Sequence, residues 1–133
     1  MPRKIKMNKK EIIEKVKAIL DREIIFCYIF GSFLNSENFN DIDIAVYLKE
    51  DSPYLHDRWY DIRVALKIER EIGIPVDLII INRAPDHLIY DISKGKVIID
   101  KDEDLRIDFI TRAWKRYFDF KVKREQFLKE MFE

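Results

Sequence analysis

The short connection between the first two apolar runs constrains the fold of this chain most strongly. The runs Ile24 to Phe30 and Ile42 to Leu48 are rich in β-branched and aromatic residues, which is typical of buried strands. Only eleven residues separate them, whereas a parallel crossover needs about a dozen or more, usually including a helix. We therefore predict antiparallel strands, in which the end of the first lies beside the start of the second.

A third apolar run, Val76 to Ile81, follows a much longer connection. The segment between Leu48 and Val76 is long enough to hold a helix and cross the sheet, which makes the third strand parallel to the second. The starts of the second and third strands then share one edge of the sheet with the end of the first strand.

Three aspartates belong to that edge, because Asp41 and Asp43 open the second strand and Asp77 opens the third. Side chains alternate along a strand, so Asp41 and Asp43 point to the same face. Like charges beside apolar strands repel each other and lose solvation, and a divalent cation relieves both costs. Mg²⁺ commonly binds one or two carboxylates together with substrate phosphates, and these aspartates are therefore candidate metal ligands.

Gly31 and Ser32 close the first strand at the same edge. Gly31 permits a tight turn whose backbone amides can face phosphate oxygens, and the hydroxyl of Ser32 can donate to the same group. A phosphate site and a metal site are therefore expected to meet at this edge.

The residues Gly31-Ser32, Asp41-Ile-Asp43 and Asp77 resemble, in order and context, the motif of the polymerase-β-like nucleotidyltransferase superfamily, and particularly the minimal nucleotidyltransferases. The resemblance implies an α/β fold like the polymerase-β palm, with a mixed β-sheet covered by helices and a long C-terminal helix. It also implies that Asp41 and Asp43 hold Mg²⁺ on the triphosphate of ATP. Asp77 completes the metal site or helps to deprotonate the attacking hydroxyl, and Gly31 and Ser32 bind the nucleotide.

The same resemblance suggests a partner, because minimal nucleotidyltransferases often pair with a small helical HEPN-domain toxin. The implied function is transfer of AMP from ATP to a tyrosine of that toxin, which makes the chain a protein adenylyltransferase antitoxin. Two alternatives stay open. The segment Phe33 to Asn40 replaces the basic, glycine-containing stretch usual in the family, which favours a non-catalytic antitoxin that acts by binding. A small-molecule nucleotidyltransferase of the antibiotic-modifying type, with an acceptor pocket formed by a homodimer, is the other.

Length and composition limit the number of domains, the kind of partner and the location that we expect for this protein. The 133 residues suit a single domain spanning 1–133. The 25 basic residues balance the 25 acidic ones, so the broad positive surface expected of a nucleic-acid-binding protein is absent. Cys27 lies within an apolar strand and is expected to be a core residue. Because the sequence contains neither a secretory signal pattern nor a long uncharged run, we expect a cytoplasmic protein that does not enter a membrane.

Helices are predicted around these strands. Asn8 is expected to cap a first helix, and Ser52 and Pro53 to begin a crossover helix that ends at Gly73. The apolar side chains of that crossover helix recur at helical spacing: Leu55, Trp59, Ile62 and Leu66. Pro85 is expected to begin a shorter helix, which a fourth strand over 96–99 follows. The last helix, from about Asp102, has apolar residues over a wide arc, which is consistent either with covering the sheet or with binding a partner or second copy.

Overall fold

The computed structural model describes residues 7–20 and 22–132, which form an α/β fold built on a four-stranded mixed sheet. The sheet has the spatial order β3-β2-β1-β4, with β1 at Ile24–Phe30, β2 at Ile42–Leu48, β3 at Val76–Ile80 and β4 at Lys96–Asp100. The helices are α1 (Lys9–Ile19), α2 (Ser32–Asn35), α3 (Tyr60–Ile72), α4 (Asp86–Ser93) and α5 (Glu103–Phe132), with 3-10 turns at Pro53–His56 and Ile81–Arg83.

The predicted strand directions are confirmed. β1 pairs with β2 antiparallel, and β2 pairs with β3 in parallel through the crossover that contains α3. β4 joins the other edge of the sheet, antiparallel to β1. The end of β1 and the starts of β2 and β3 therefore lie at one edge of the fold, which we call the aspartate edge because it carries Asp41, Asp43 and Asp77.

Each face of the sheet buries its own hydrophobic cluster. On one face the even-numbered residues of β2, such as Ile42 and Ile44, pack with residues of α1, α2 and α3. On the other face Ala45 and Tyr47 of β2 pack with Phe26 and with residues of α4 and α5. Asp41 and Asp43 share the odd-numbered face of β2 with Ala45 and Tyr47. The alternation that buries the apolar residues thus also sets the face that carries the carboxylates.

The first helix begins as its cap predicted. The Oδ1 atom of Asn8 accepts a hydrogen bond from the backbone N–H of Glu11 at 2.8 Å, which satisfies one of the free N–H groups of the first turn. Ile12 and Val16 are fully buried on the sheet. Lys9, the first residue of α1, bonds to the carbonyl of Ser36 in the loop before β2, so the N-terminus of α1 lies on the side of the aspartate edge.

The crossover helix differs from the prediction in its start and in its buried face. Ser52 caps only the 3-10 turn, accepting from the N–H of Tyr54, and α3 begins separately at Tyr60. The stripe of α3 that is buried also differs from the predicted one: Tyr60, Val64, Ala65, Ile68 and Ile72. Trp59, Ile62 and Leu66, which the spacing assigned to the apolar face, are about half exposed. Gly73 ends the helix in the left-handed conformation, as predicted.

The long C-terminal helix is confirmed, although the fold covers only its beginning. Ile110 and Ala113 are its buried residues, whereas Phe118, Phe120 and Phe127 are exposed. Arg106 attaches the first turns to the sheet, because its Nε donates to Asp100 and its guanidinium also donates to the hydroxyl of Tyr28. Within the described ranges, none of the helices is sufficiently long and apolar to span a bilayer.

Candidate functional site

The parallel pairing of β2 with β3 places two of the aspartates side by side. Asp43 and Asp77 are direct Cα partners in this ladder. Asp41 lies two residues before Asp43, immediately ahead of the first residue of β2. The chain segments carrying the predicted carboxylates are therefore brought together at the aspartate edge, as the strand directions required.

Asp43 is the carboxylate of this edge that is partly removed from solvent. Its side chain is half-buried, whereas Asp41 and Asp77 are exposed. Burial raises the pKa of Asp43 above its ordinary value, and the charges of Asp41 and Asp77 raise the pKa further. A half-buried carboxylate that two other carboxylates destabilise is a group whose charge a cation would stabilise.

Gly31 connects the turn to this carboxylate. Its φ is +82°, a backbone conformation that side-chain-bearing residues rarely adopt. A β-carbon added at Gly31 would overlap Oδ2 of Asp43. The Gly31 backbone therefore lies directly against Asp43, and Ser32, which begins α2, is exposed beside it. The turn and the carboxylates form one continuous surface.

Lys9 also lies near the site, although its place in the sequence did not predict this. Its Nζ donates a 2.9 Å hydrogen bond to the backbone carbonyl of Ser36, in the loop that joins α2 to β2. The ammonium also lies over the rings of Phe33 and Phe39, at 5.4 and 5.6 Å from their centroids. These contacts tie the loop to α1. Lys9 and Ser36 are 27 positions apart, and no local sequence pattern predicts such a contact.

The aspartate edge fits a magnesium ion that is bound together with a substrate. Its donors are hard carboxylate oxygens, one of which is electrostatically destabilised without a cation. In the part of the chain that the structure describes, no three His, Cys, Asp or Glu side chains form a group that could hold a metal by themselves. Mg²⁺ commonly binds only one or two protein carboxylates, with substrate phosphates and water as its other ligands.

The sequence matches one known protein family over the part of the chain that forms this site. Residues 14–104 match the family described as Polymerase beta, Nucleotidyltransferase. The chain belongs to the polymerase-β nucleotidyltransferase family. The match covers more than half of the chain and contains the whole aspartate edge, from the Gly31 turn through Asp77. The predicted α/β nucleotidyltransferase fold is therefore confirmed.

Solved structures share this nucleotidyltransferase fold over almost the entire chain. One contains the tri-AMPylated HEPN toxin of Shewanella oneidensis in complex with MNT antitoxin, with a TM-score of 0.71 and 19% identity over 95% of this chain and 100% of that chain. A toxin–antitoxin structure with AMP-PNP has a TM-score of 0.71 and 22% identity, covering 96% of this chain and 100% of that one. The MntA–HepT toxin–antitoxin has a TM-score of 0.69 and 19% identity, covering 94% and 100%. No curated protein matches the sequence.

The thiol of Cys27 lies outside the site of this nucleotidyltransferase. Cys27 is fully buried in β1, where burial raises the pKa of its thiol far above the ordinary value. It is a core residue, as expected from its apolar neighbours.

A cavity of about 250 Å³ between α3 and β3 reaches the aspartate edge at Asp77 and is lined there by Val76, Leu78 and Ile62.

Proposed function

We propose that this protein transfers AMP from ATP to a hydroxyl group and releases pyrophosphate. The supporting observation is the convergence of the Gly31 turn, Asp41, Asp43 and Asp77 at one edge of a nucleotidyltransferase sheet. In the reaction the acceptor oxygen forms a bond to the α-phosphorus of ATP. The bond from that phosphorus to the bridging oxygen of the β-phosphate breaks, and the hydroxyl proton leaves to a base.

The residues of the aspartate edge have separate roles in this reaction. The exposed turn at Gly31 and Ser32 binds the outer phosphates through backbone N–H groups and the serine hydroxyl. Asp41 and Asp43 are the residues that would hold Mg²⁺, which, when bound, neutralises charge on the phosphates. Asp77 is exposed next to Asp43 in the parallel ladder. It either completes the metal site or accepts the proton from the attacking hydroxyl.

We propose a tyrosine of a HEPN-domain toxin as the acceptor, so that the protein is an adenylylating antitoxin. The related folds support this choice, because one of those structures contains an AMPylated HEPN toxin and another contains AMP-PNP.

One observation favours a second candidate, an antitoxin that acts by binding alone. The segment from Ser32 to Asn40 contains no Lys or Arg, and Lys9, a basic side chain that contacts it, already bonds to the carbonyl of Ser36. Weak contact with the triphosphate would leave the fold as a scaffold that covers its toxin.

Incubation of the purified protein with Mg²⁺, ATP and the product of the adjacent gene separates the two candidates. We expect intact-mass analysis to show an increment of one AMP or more on the partner, with peptide mapping to a tyrosine, and loss of the increment with a chelator. The double variant Asp41→Asn/Asp43→Asn should lower the rate at least about 100-fold, because several kcal/mol of charge stabilisation are removed.

The matched control is Asp108→Asn, which neutralises an exposed carboxylate on α5 that is paired with Arg112. Its turnover should equal that of the wild-type protein. A stable complex without any mass increment would support the scaffold instead. Undiminished turnover in the folded double variant would contradict the assignment of the aspartates.

A further inference from the structure

One side of α5 carries a seven-residue repeat along most of its length. The residues of this stripe are separated alternately by three and four positions: Ile110, Ala113, Tyr117, Phe120, Arg124, Phe127 and Met131. This spacing keeps side chains on one side of a helix and is the pattern with which helices pack along one another. Every position except Arg124 is apolar or aromatic, and arginine can lay its aliphatic stem along an apolar surface.

The protein covers only the first part of this stripe. Ile110 is 8% exposed and Ala113 is fully buried, because α4 and the sheet pack on them. Farther along the same side, Phe120, Phe127 and Met131 are 65%, 59% and 61% exposed. The uncovered portion runs for about 18 Å at the usual rise of about 1.5 Å per residue. We call this portion, Phe120 to Met131, the terminal stripe.

We propose that the terminal stripe of one molecule packs antiparallel against the terminal stripe of a second copy of this chain. The repeat selects a helix as the occupant, and a second α5 is a helix with the same apolar spacing. In the antiparallel register Phe120 faces Met131 of the second copy and Arg124 faces Phe127 of the second copy. Each contact occurs twice because of the two-fold symmetry. This inference does not depend on the proposed nucleotidyl transfer.

The charges beside the terminal stripe favour this arrangement. Lys123 and Glu130 each precede a stripe position by one residue, Arg124 and Met131 respectively, and they therefore lie at the same flank of the stripe. In an antiparallel pair this flank of one helix lies beside the same flank of the other helix, which runs in the opposite direction. Lys123 therefore faces Glu130 of the second copy. Two symmetric pairs of opposite charge then border the apolar contact.

A parallel pair is disfavoured by the same residues. It would place Arg124 opposite Arg124 of the second copy in the middle of the apolar contact, where two like charges lose solvation together. It would also bring Arg116 of one helix near Lys121 of the other, since these positions flank opposite sides of the stripe. The antiparallel pair instead places each Arg124 guanidinium over the ring of Phe127, an arrangement that attracts a cation.

The length of the contact limits its strength. About 18 Å of paired helix buries less area than a typical stable complex, so the dimer should dissociate on dilution. Forming the helix costs little at association, because α5 is one continuous helix whose first part is anchored to the fold by Arg106 and Ile110. The expected state is therefore a reversible dimer.

Sedimentation velocity of the whole protein, from about 1 μM to about 1 mM, tests the proposal. We expect the wild-type protein to shift from monomer to dimer with concentration. The double variant Phe127→Glu/Met131→Glu should remain monomeric throughout this range. The control is Val122→Glu, because Val122 is 63% exposed on the opposite side of the same helix, and this variant should dimerise as the wild-type protein does.

A charge exchange tests the direction of the pair. Lys123→Glu and Glu130→Lys should each weaken dimerisation by roughly 3- to 10-fold, because each creates two like-charged contacts. The combination of both substitutions should restore the wild-type dimer. A wild-type protein that stays monomeric up to about 1 mM would overturn the proposal. Equal loss of the dimer in Val122→Glu, or failure of the combined exchange to restore it, would also overturn it.

Discussion

Gly31 and Asp43 lie so close together that no side chain fits at position 31. A β-carbon there would overlap Oδ2 of Asp43, and the backbone φ of +82° disfavours a side chain independently of the available space. The glycine is therefore what allows the turn after β1 to reach the carboxylate at the start of β2. Ala at this position must move either the turn or the carboxylate.

We predict that Gly31→Ala lowers both stability and nucleotidyl transfer. The positive φ alone costs about 1–3 kcal/mol, and displacement of Asp43 should reduce the rate further. Chemical denaturation and the rate of AMP transfer measure the two effects. Gly73→Ala is the control, because Gly73 also has a positive φ of 72° at the end of α3. It should lose stability and keep its rate, and an equally inactive Gly73→Ala would contradict the specific role of Gly31.

Asp43→Asn should abolish transfer and stabilise the protein. At neutral pH the half-buried Asp43 carboxylate lies beside Asp41 and Asp77, and removing one of three like charges relieves their repulsion. A thermal melt should show a rise of a few °C in Tm, as is common when a residue required for function is removed. Asp108→Asn on α5 should change neither quantity. An unchanged or lowered Tm for Asp43→Asn would show that the carboxylate is not a source of strain.

The raised pKa of Asp43 predicts a pH dependence of stability. Between the ordinary aspartate pKa of about 4 and the raised value, the folded protein holds a proton that the unfolded chain releases. The free energy of unfolding should therefore fall as pH rises through this window, relative to Asp43→Asn. Urea denaturation of both proteins at a series of pH values measures the difference.

Asp57 provides a control of opposite sign for that experiment. Its hydrogen bond from Arg63 lowers the pKa of its carboxyl, so its stabilising contribution is present above the ordinary pKa and is lost as pH falls through the lowered one. The difference between wild type and Asp57→Asn should slope the other way. Equal slopes for the two aspartates would contradict the assigned directions.

The buried face of α3 can be tested by paired truncations. Ile68 is fully buried and Leu66 is 55% exposed. Ile68→Ala should cost about 2–5 kcal/mol of unfolding free energy, because it leaves a cavity between α3 and the sheet. Leu66→Ala should cost less than about 1 kcal/mol. Denaturant titrations compare them directly, and a larger cost for Leu66→Ala would show that the helix packs with the opposite face.

Cys27 should be inert to thiol reagents in the folded protein. Burial raises the pKa of its thiol far above the ordinary value, and its side chain is fully buried in β1. Alkylation should therefore proceed only upon unfolding, and mass analysis after alkylation with and without denaturant measures it. A Cys27→Ser variant should keep its transfer rate but lose stability. Rapid alkylation of the native protein would contradict the assignment of Cys27 to the core.

Much of the fold followed from local spacing. The eleven residues between Phe30 and Ile42 are too few for a crossover, so the antiparallel pair was predictable without tertiary information. The period of two along β2 likewise placed Asp41 and Asp43 on one face. The Asn8 cap and Gly73 marked helix ends because their preferences act on neighbouring backbone groups.

The sequence by itself determined the strand directions, the shared edge and the identity of the carboxylates there, since these depend on chain length and side-chain alternation. The tertiary structure decided three further features: which face of α3 is buried, the contact of Lys9 with Ser36, and the exposure of α5 beyond Ala113. The α3 sequence offers two apolar stripes, and only the position of the sheet selects between them. Contacts between residues distant in sequence depend on the packing of the whole chain. The same packing sets the point at which a helix extends beyond the surface that covers it.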